Sequence, residues 1–334
     1  MMKKKLTLIT NESFDFKNGQ FYCDNIDLKS IPEGLEKSFD ISIIGRGSKT
    51  LRTKKVDIKK IQIGNNILSY LYFVIKSLKD NESKYLIISI SPFTFLACLI
   101  LKIFFRKHFV YLRSDGFKEY KSILGFFGPM IYNLMFIGSL INANLISCRE
   151  HLLKNRRGDV VNPSQLNKNW FLPEKKIDLK EIKLLYVGRI RVEKGIFSLM
   201  KIISNSKIKL TIVASETKNR LKTTPSNVEV ITHENYNDSI IRYYDNHNIF
   251  ILPSFTEAHP QVLDESLARK RPVIIFKEIS HVLRNRKGIF ISERNISSLE
   301  ETINYIKSNY VNINEQMKKN ILPTKKEFLN QLKD

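Results

Sequence analysis

The feature that most constrains this chain is a recurring pair of patterns. A short, almost continuous apolar run rich in β-branched residues is followed by a stretch with apolar positions at helical spacing. Residues 86–89 precede such a stretch over 93–105, and 110–112 precede a long apolar helix. Later, 184–187 precede 196–203, 210–213 precede a polar stretch, and 249–252 precede 261–267, with 273–276 following. A strand that is apolar at every position has both faces covered, and a helix between two such strands returns the chain so that they run parallel. The pattern predicts an α/β chain built on parallel sheets. It weakens between about 162 and 181, where Asn162-Pro163, Trp170, Pro173 and a Lys/Glu cluster interrupt it. A boundary there leaves two nearly equal halves, as expected for 334 residues at roughly 150 residues per domain. The predicted domains are 1–168 and 178–311, closed by a helical segment over 312–334 in which Lys alternates with Leu, Phe and Met.

Local signals refine this outline. Phe14-Asp15-Phe16-Lys17 and Gln20-Phe21-Tyr22-Cys23 flank Asn18-Gly19, and this dipeptide suits the positive φ angles of a type I′ hairpin turn. Ile44-Gly45-Arg46-Gly47 lacks the third glycine of a dinucleotide fingerprint and reads as turn chemistry. Lysines at the start and a brief apolar run have the look of a signal peptide. However, Asn11, Glu12 and Asp15 follow at once without a cleavage site, so a first β-strand is expected. Cys23, Cys98 and Cys148 are scattered and form no C-x-x-C pair. That excludes a disulfide scaffold and a cysteine zinc site, and fits a reducing compartment. The six histidines show no ligand spacing, so no protein-bound metal is expected.

The chain carries 55 Lys and Arg against 33 Asp and Glu, a net charge of +22. Such an excess suits nucleic acid, anionic lipid or a phosphate-bearing substrate, or simply reflects Lys used as the solvating residue. No nucleic-acid module or aromatic–basic segment accompanies it, so nucleic acid is not expected as a partner. Residues 122–148 lack any charged side chain. Their length would span a bilayer, but Pro129, Asn133, Asn142 and Asn144 argue instead for a helix over 125–141 and a strand over 144–146. Lys102, Arg106, Lys107, Lys118 and Lys121 flank the apolar stretches 93–105 and 126–141. Cations beside apolar side chains are what an anionic leaflet requires, and buried helices beside a sheet are the alternative.

Two segments of the second half carry chemistry. In 184–195 a buried strand ends in Gly188 and Arg189, and Lys194-Gly195 opens a helix. Two cations and free helix N–H groups then sit at the carboxyl end of a parallel strand, where α/β folds bind phosphorylated ligands. In 251–268 a strand ends at Pro253-Ser254, and a helix begins at or just after Pro260. Amides after Glu257 could cradle an anion there, and Glu265, in the second turn, could accept two hydrogen bonds from a sugar diol. Each Glu alone reads as a helix-start charge; the pair, eight apart and framed by prolines, points to a site.

Both segments resemble the C-terminal domain of glycosyltransferase family 4, the retaining nucleotide-sugar transferases of GT-B fold. The family's G-R-x-x-x-E-K-G pattern is present as Gly188, Arg189, Glu193, Lys194 and Gly195. Its P-S-x-x-E-G-x-P-x-x-x-x-E signature is present as Pro253, Ser254, Glu257, Pro260 and Glu265, and Arg271–Ile274 match the next strand. The resemblance implies two Rossmann-like domains with parallel sheets facing a central cleft: the first binds the acceptor and the second the nucleotide-sugar. It implies that Arg189 and Lys194 neutralise the donor diphosphate, that Glu265 holds the ribose hydroxyls, and that Glu257 lies by the transferred sugar. Gly188, Ala258, His259 and Pro260 would complete the donor site. No metal or resident cofactor is implied; a UDP- or GDP-sugar is the substrate. Ala258 replaces the family's Gly, keeping the N–H but adding a methyl. Where the family often has His, this chain reads Arg113-Ser114-Asp115-Gly116, so Asp115 would contact sugar or acceptor, and Arg113 and Ser114 the acceptor. The N-terminal glycine-rich loop is missing. The expected activity is metal-independent transfer of a sugar to a cell-surface glycan or lipid-linked acceptor, as in lipopolysaccharide or capsule biosynthesis. The expected location is cytoplasmic, peripheral on the anionic inner face of the plasma membrane. The alternative is a non-catalytic GT-B protein that binds a glycan or a partner.

Overall fold

The computed structural model describes residues 3–173, 179–214, 223–232 and 239–333. The chain divides into two compact units: one runs to Pro163 and takes in the chain end from Glu327, and the other is Ser164–Lys326. The boundary residue 178 and the polar stretch expected after Val213 lie outside the described residues.

The first unit comprises β1 (Lys4–Lys17), β2 (Gln20–Cys23), α1 (Ile26–Leu35), β3 (Phe39–Gly47), β4 (Lys54–Val56), β5 (Lys60–Gly64) and α2 (Ile67–Ser77). It continues with β6 (Lys84–Ile88), α3 (Pro92–Ile103), β7 (His108–Leu112), α4 (Gly116–Leu124), α5 (Gly128–Ser139), β8 (Ala143–Ser147) and β9 (Asp159–Val160). The parallel sheet runs β5-β3-β1-β6-β7-β8-β9. Leu8, Ile9, Ile43, Ile44, Ile87 and Val110 are buried in it, the both-faces burial that a continuous apolar run requires. The far end of β1 pairs antiparallel with β2 through the expected turn, with Asn18 at φ 51° and Gly19 at φ 72°.

Two local expectations are corrected. Residues 44–47 are not a turn; they finish β3, and a Cβ on Gly45 would lie 2.5 Å from the buried Phe14 ring. The glycine is there for close packing. The helix expected over 125–141 is α5, shortened at both ends to Gly128–Ser139, and a 3₁₀ turn at Gly125–Phe127 joins it to a separate preceding helix, α4. Gly125 sits at φ 62°, and the backbone at Gly128 approaches Tyr120 so closely that a Cβ would lie 2.0 Å from its carbonyl oxygen.

The second unit comprises β10 (Lys183–Val187), α6 (Ile196–Ile203), β11 (Lys209–Ala214), β12 (Val228–Thr232), α7 (Ser239–Asn246), β13 (Ile249–Leu252) and α8 (Gln261–Ala268). β14 (Val273–Phe276), β15 (Ile289–Ser292), α9 (Ile296–Ser308) and α10 (Tyr310–Met317) follow. Its sheet is parallel throughout, in the order β12-β11-β10-β13-β14-β15. The strand order reverses between β10 and β13, and the carboxyl ends of strands at such a reversal are where open α/β sheets take ligands. The helical segment expected over 312–334 falls in both units. Residues to 326 belong to the second unit, and α11 (Lys325–Gln331) carries the rest into the first.

Arg269 ties the start of the second unit to its core. Its guanidinium is 2% exposed and donates to the carbonyls of Trp170 and Leu172 at 3.1 and 2.7 Å, and to both Asp245 carboxylate oxygens at 2.8 and 2.9 Å. Removing one partner of such a buried cluster strands the others without water. Arg269→Ala is therefore expected to destabilise this unit by about 3–5 kcal/mol. Urea unfolding followed by the fluorescence of Trp170, the only tryptophan, measures the loss.

Candidate donor site

The candidate site lies where the loops after β10 and β13 meet. Gly188 leaves β10 with its N–H bonded to the Val213 carbonyl at 3.0 Å. A Cβ there would meet the Tyr186 hydroxyl at 2.6 Å, and that hydroxyl donates to the Arg189 carbonyl at 2.8 Å. The Arg189 side chain is left exposed. A 3₁₀ turn over Val192–Lys194 then leads to Gly195 at φ 68°, which enters α6. Only glycine fits at that point: a Cβ would lie 1.9 Å from the Pro253 carbonyl oxygen, and the φ itself disfavours any side chain. The two loops are also joined by the Phe255 N–H, which donates to the Glu193 carbonyl at 3.0 Å.

This close approach brings Lys194 to Glu257. The ammonium Nζ is 2.6 Å from carboxylate Oε1, and the side chains are 21% and 10% exposed. The Ser254 hydroxyl donates to the same Oε1 at 2.7 Å, and the His281 ring bonds the Glu257 carbonyl at 2.8 Å. Held by three groups, Glu257 is oriented rather than free to swing.

Glu265 is fixed separately. It lies on α8, and the Tyr244 hydroxyl donates to its Oε2 at 2.9 Å. Burial pushes its pKa up to about 7, a rise that the Tyr244 bond opposes and the nearby Asp264 charge reinforces. Pro260 precedes the helix as its N-cap residue, with ψ 101°. Ala258 is half-buried in the loop. The His259 side chain, expected to pack on nucleotide or solvent, is only 3% exposed and lies 3.4 Å from Asp264, which pairs with Arg286.

Arg113, Ser114 and Asp115 follow β7 in the first unit. The Arg113 guanidinium lies 2.8 Å from Asp27 and donates to Asn25 at 3.2 Å. Asp115 caps α4, accepting from the Lys118 N–H at 3.3 Å. With Ser114 it lines a small cleft beside Tyr132 and Lys154. The three cysteines are buried, and burial pushes Cys23 and Cys98 up to about 12 and Cys148 to about 11, so none is a thiolate nucleophile near neutrality.

Sequence patterns did not point to Arg294 or Tyr244. Arg294 stacks between Phe255 and Phe276, with its guanidinium carbon 4.1 and 4.3 Å from the ring centroids. It also donates to the Pro253 carbonyl at 3.0 Å and to Glu278 at 2.7 Å. It therefore braces the β13 loop from β15. The one signal available was its position at the carboxyl end of a strand.

Residues 168–322 match the family described as glycosyl transferases group 1. No curated protein matches the sequence. Among solved structures, the chain is similar to sucrose-phosphate synthase from Thermosynechococcus elongatus, with a TM-score of 0.73 at 15% identity over 99% of this chain and 98% of that one. It is also similar to WaaG, a glycosyltransferase involved in lipopolysaccharide biosynthesis, with a TM-score of 0.67 at 11% identity over 98% of each chain. For α,α-trehalose 6-phosphate synthase from Burkholderia multivorans the values are 0.60 and 7%, over 99% and 96%. Identities this low bear on fold alone, and the fold they share is α/β with two parallel-sheet Rossmann-like domains, the GT-B architecture.

Two predictions follow from the geometry. Gly195→Ala is expected to force the two loops apart and lower the thermal midpoint by several degrees, about 2–4 °C per kcal/mol lost, as read by calorimetry. For Glu265 the folded pKa, about 7, lies above its ordinary 4.5. Its contribution to stability is therefore complete below the unfolded value and is lost as pH rises through the folded one. Denaturant titrations between those limits should show a downward slope with pH that Glu265→Gln removes.

Proposed function

We propose that the meeting point of the β10 and β13 loops binds the diphosphate of a nucleotide-sugar, and that the chain is a retaining, metal-independent glycosyltransferase of family 4 type. The observation that carries this reading is the Lys194–Glu257 pair at 2.6 Å, set where the strand order reverses, with the Arg189 side chain exposed in the β10 loop. Departure of a nucleoside diphosphate builds negative charge on phosphate oxygen, and preorganised cations stabilise that charge with little reorganisation. Arg189 and Lys194 supply them. As the bond from the anomeric carbon to phosphate oxygen breaks, positive charge grows on the sugar ring, and the Glu257 carboxylate stabilises it. The acceptor hydroxyl forms the new bond on the same face, and its proton passes to the departing phosphate oxygen. Glu265, held by Tyr244, accepts hydrogen bonds from the ribose diol. Gly188, Ala258, His259 and Pro260 shape the donor loop, and Arg113, Ser114 and Asp115 meet the acceptor.

The donor in this reading is a UDP- or GDP-sugar and the acceptor a glycan or lipid-linked precursor. The likeness to WaaG and the basic, apolar-rich first unit favour polysaccharide assembly, lipopolysaccharide or capsule, at the cytoplasmic face of the plasma membrane.

A thermal-shift screen of nucleotides and nucleotide-sugars, followed by assay of free nucleotide release, tests the proposal. Ligand at a hundredfold its Kd stabilises by about 2.7 kcal/mol, so a cognate nucleotide is plainly visible. Lys194→Ala and Glu265→Ala are expected to weaken that nucleotide roughly 10- to 100-fold, the range of a lost charge-assisted hydrogen bond. Parental affinity in both variants would refute the site. Nucleotide binding without turnover of any donor would favour the non-catalytic alternative. Affinity should also rise as pH climbs through about 7, because only the Glu265 carboxylate offers both oxygens as acceptors to the diol.

A further inference from the structure

We infer that the α4–α5 hairpin of the first unit is the surface that docks this protein on an anionic lipid bilayer, and that it lies on the membrane rather than crossing it. The inference deepens the proposed peripheral location and rests on that part of the reading.

The argument begins with α5. Its buried residues include Gly128, Tyr132, Met135, Phe136 and Ser139, the i, i+3, i+4, i+7 stripe of a helix packed on one side. A helix packed this way normally turns polar side chains outward. α5 instead exposes Met130 (58%), Leu134 (64%) and Ile137 (45%). The preceding turn adds Phe126 at 89% and Phe127 at 62%, and the end of α4 adds Ile123 at 71%. Phe126 and Phe127 stand edge to face, with centroids 5.6 Å apart, and turn their faces to no core. So large a continuous apolar surface marks an interaction site.

The surrounding charge selects the occupant. Between residues 102 and 157 there are ten Lys and Arg against three Asp and Glu. Lys118 and Lys121 are exposed on α4. Lys154 places its ammonium 5.0 Å over the Phe117 ring, and Arg156 its guanidinium 6.0 Å over Phe136, so cations border the hairpin from a second segment as well. Arg106 does not contribute, because its guanidinium is turned onto the Leu78 and Asn81 carbonyls at 2.7 and 3.0 Å. Aromatic and aliphatic side chains bordered by cations are the composition that inserts shallowly among anionic headgroups. Residues 116–139 are long and apolar enough to cross a bilayer by length and composition. The break at Gly125–Phe127 divides this stretch, and the buried stripe of α5 lies among contacts with α3 and α4.

The test is co-sedimentation of the full chain with vesicles of phosphatidylcholine alone or mixed with phosphatidylglycerol, read beside nucleotide thermal shifts on the same samples. Binding is expected to the mixed vesicles, to fall with added salt, and to be weak on phosphatidylcholine. Phe126→Ser with Phe127→Ser is expected to lower vesicle affinity about tenfold or more. Lys121→Glu with Lys154→Glu should do the same at low salt. Both double variants should keep the parental nucleotide shift, which shows them folded and separates this inference from the donor site. Absence of binding to the mixed vesicles would overturn it. So would a dimer in sedimentation equilibrium that Phe126→Ser with Phe127→Ser dissolves, which would make a second copy the occupant. Protein that alkaline carbonate cannot extract would show a span rather than a docked surface.

Discussion

The candidate donor site depends on one ion pair. Lys194 and Glu257 are distant in sequence and sit on loops that leave different strands, and their 2.6 Å contact requires those loops to touch. Three features make that possible: the missing side chain at Gly195, the Phe255–Glu193 backbone bond, and Arg294 clamped between two rings behind the β13 loop. A pair so little exposed is not a strong source of stability, since desolvation offsets much of its attraction. Its value is placement, because an ammonium and a carboxylate held in one arrangement can meet opposite charges that develop together on a reacting donor.

The parallel sheet sets the frame for this pair. In the second unit β10, β13 and β14 are buried along their whole apolar runs, which anchors the strand ends from which the reactive loops depart. The reversal of strand order between β10 and β13 then sets the candidate site at these strand ends without any special loop design. Arg269 extends the same logic to the start of the unit, tying irregular backbone at Trp170 and Leu172 to the core through carbonyls that would otherwise lack partners.

Much of this was readable from local pattern. Apolar runs at Leu184–Val187 and Ile249–Leu252 could only be buried strands, and Asn18-Gly19 could hardly be anything but a hairpin turn. The cations and carboxylates of the candidate site follow strand ends, and their place there together with the family resemblance singled them out. What escaped depends on partners far away in sequence. Gly45 looked like turn chemistry because the Phe14 ring that excludes its side chain lies on a neighbouring strand. The late start of α5 at Gly128 goes with the close approach of its backbone to Tyr120 on α4. Arg294 and Tyr244 carry no motif; each acquires meaning only when the sheet and helices bring Phe255, Phe276 and Glu265 beside them. The ion pair of Arg113 with Asp27, a residue far away in sequence, was also beyond local pattern. The outward apolar face of α5 was likewise hidden, since a helix apolar all round reads the same whether one side or both are covered.

In the proposed mechanism Glu257 acts on the reacting sugar while Lys194 meets the diphosphate. Steady-state release of nucleotide from the cognate donor by the Glu257→Gln variant tests it most directly. If Glu257 has that role, kcat falls by about a hundredfold or more, the scale on which a preorganised electrostatic contact acts, with nucleotide affinity equal to or tighter than the parent's because Lys194 is released from its partner. A variant that releases nucleotide at the parental rate would contradict it.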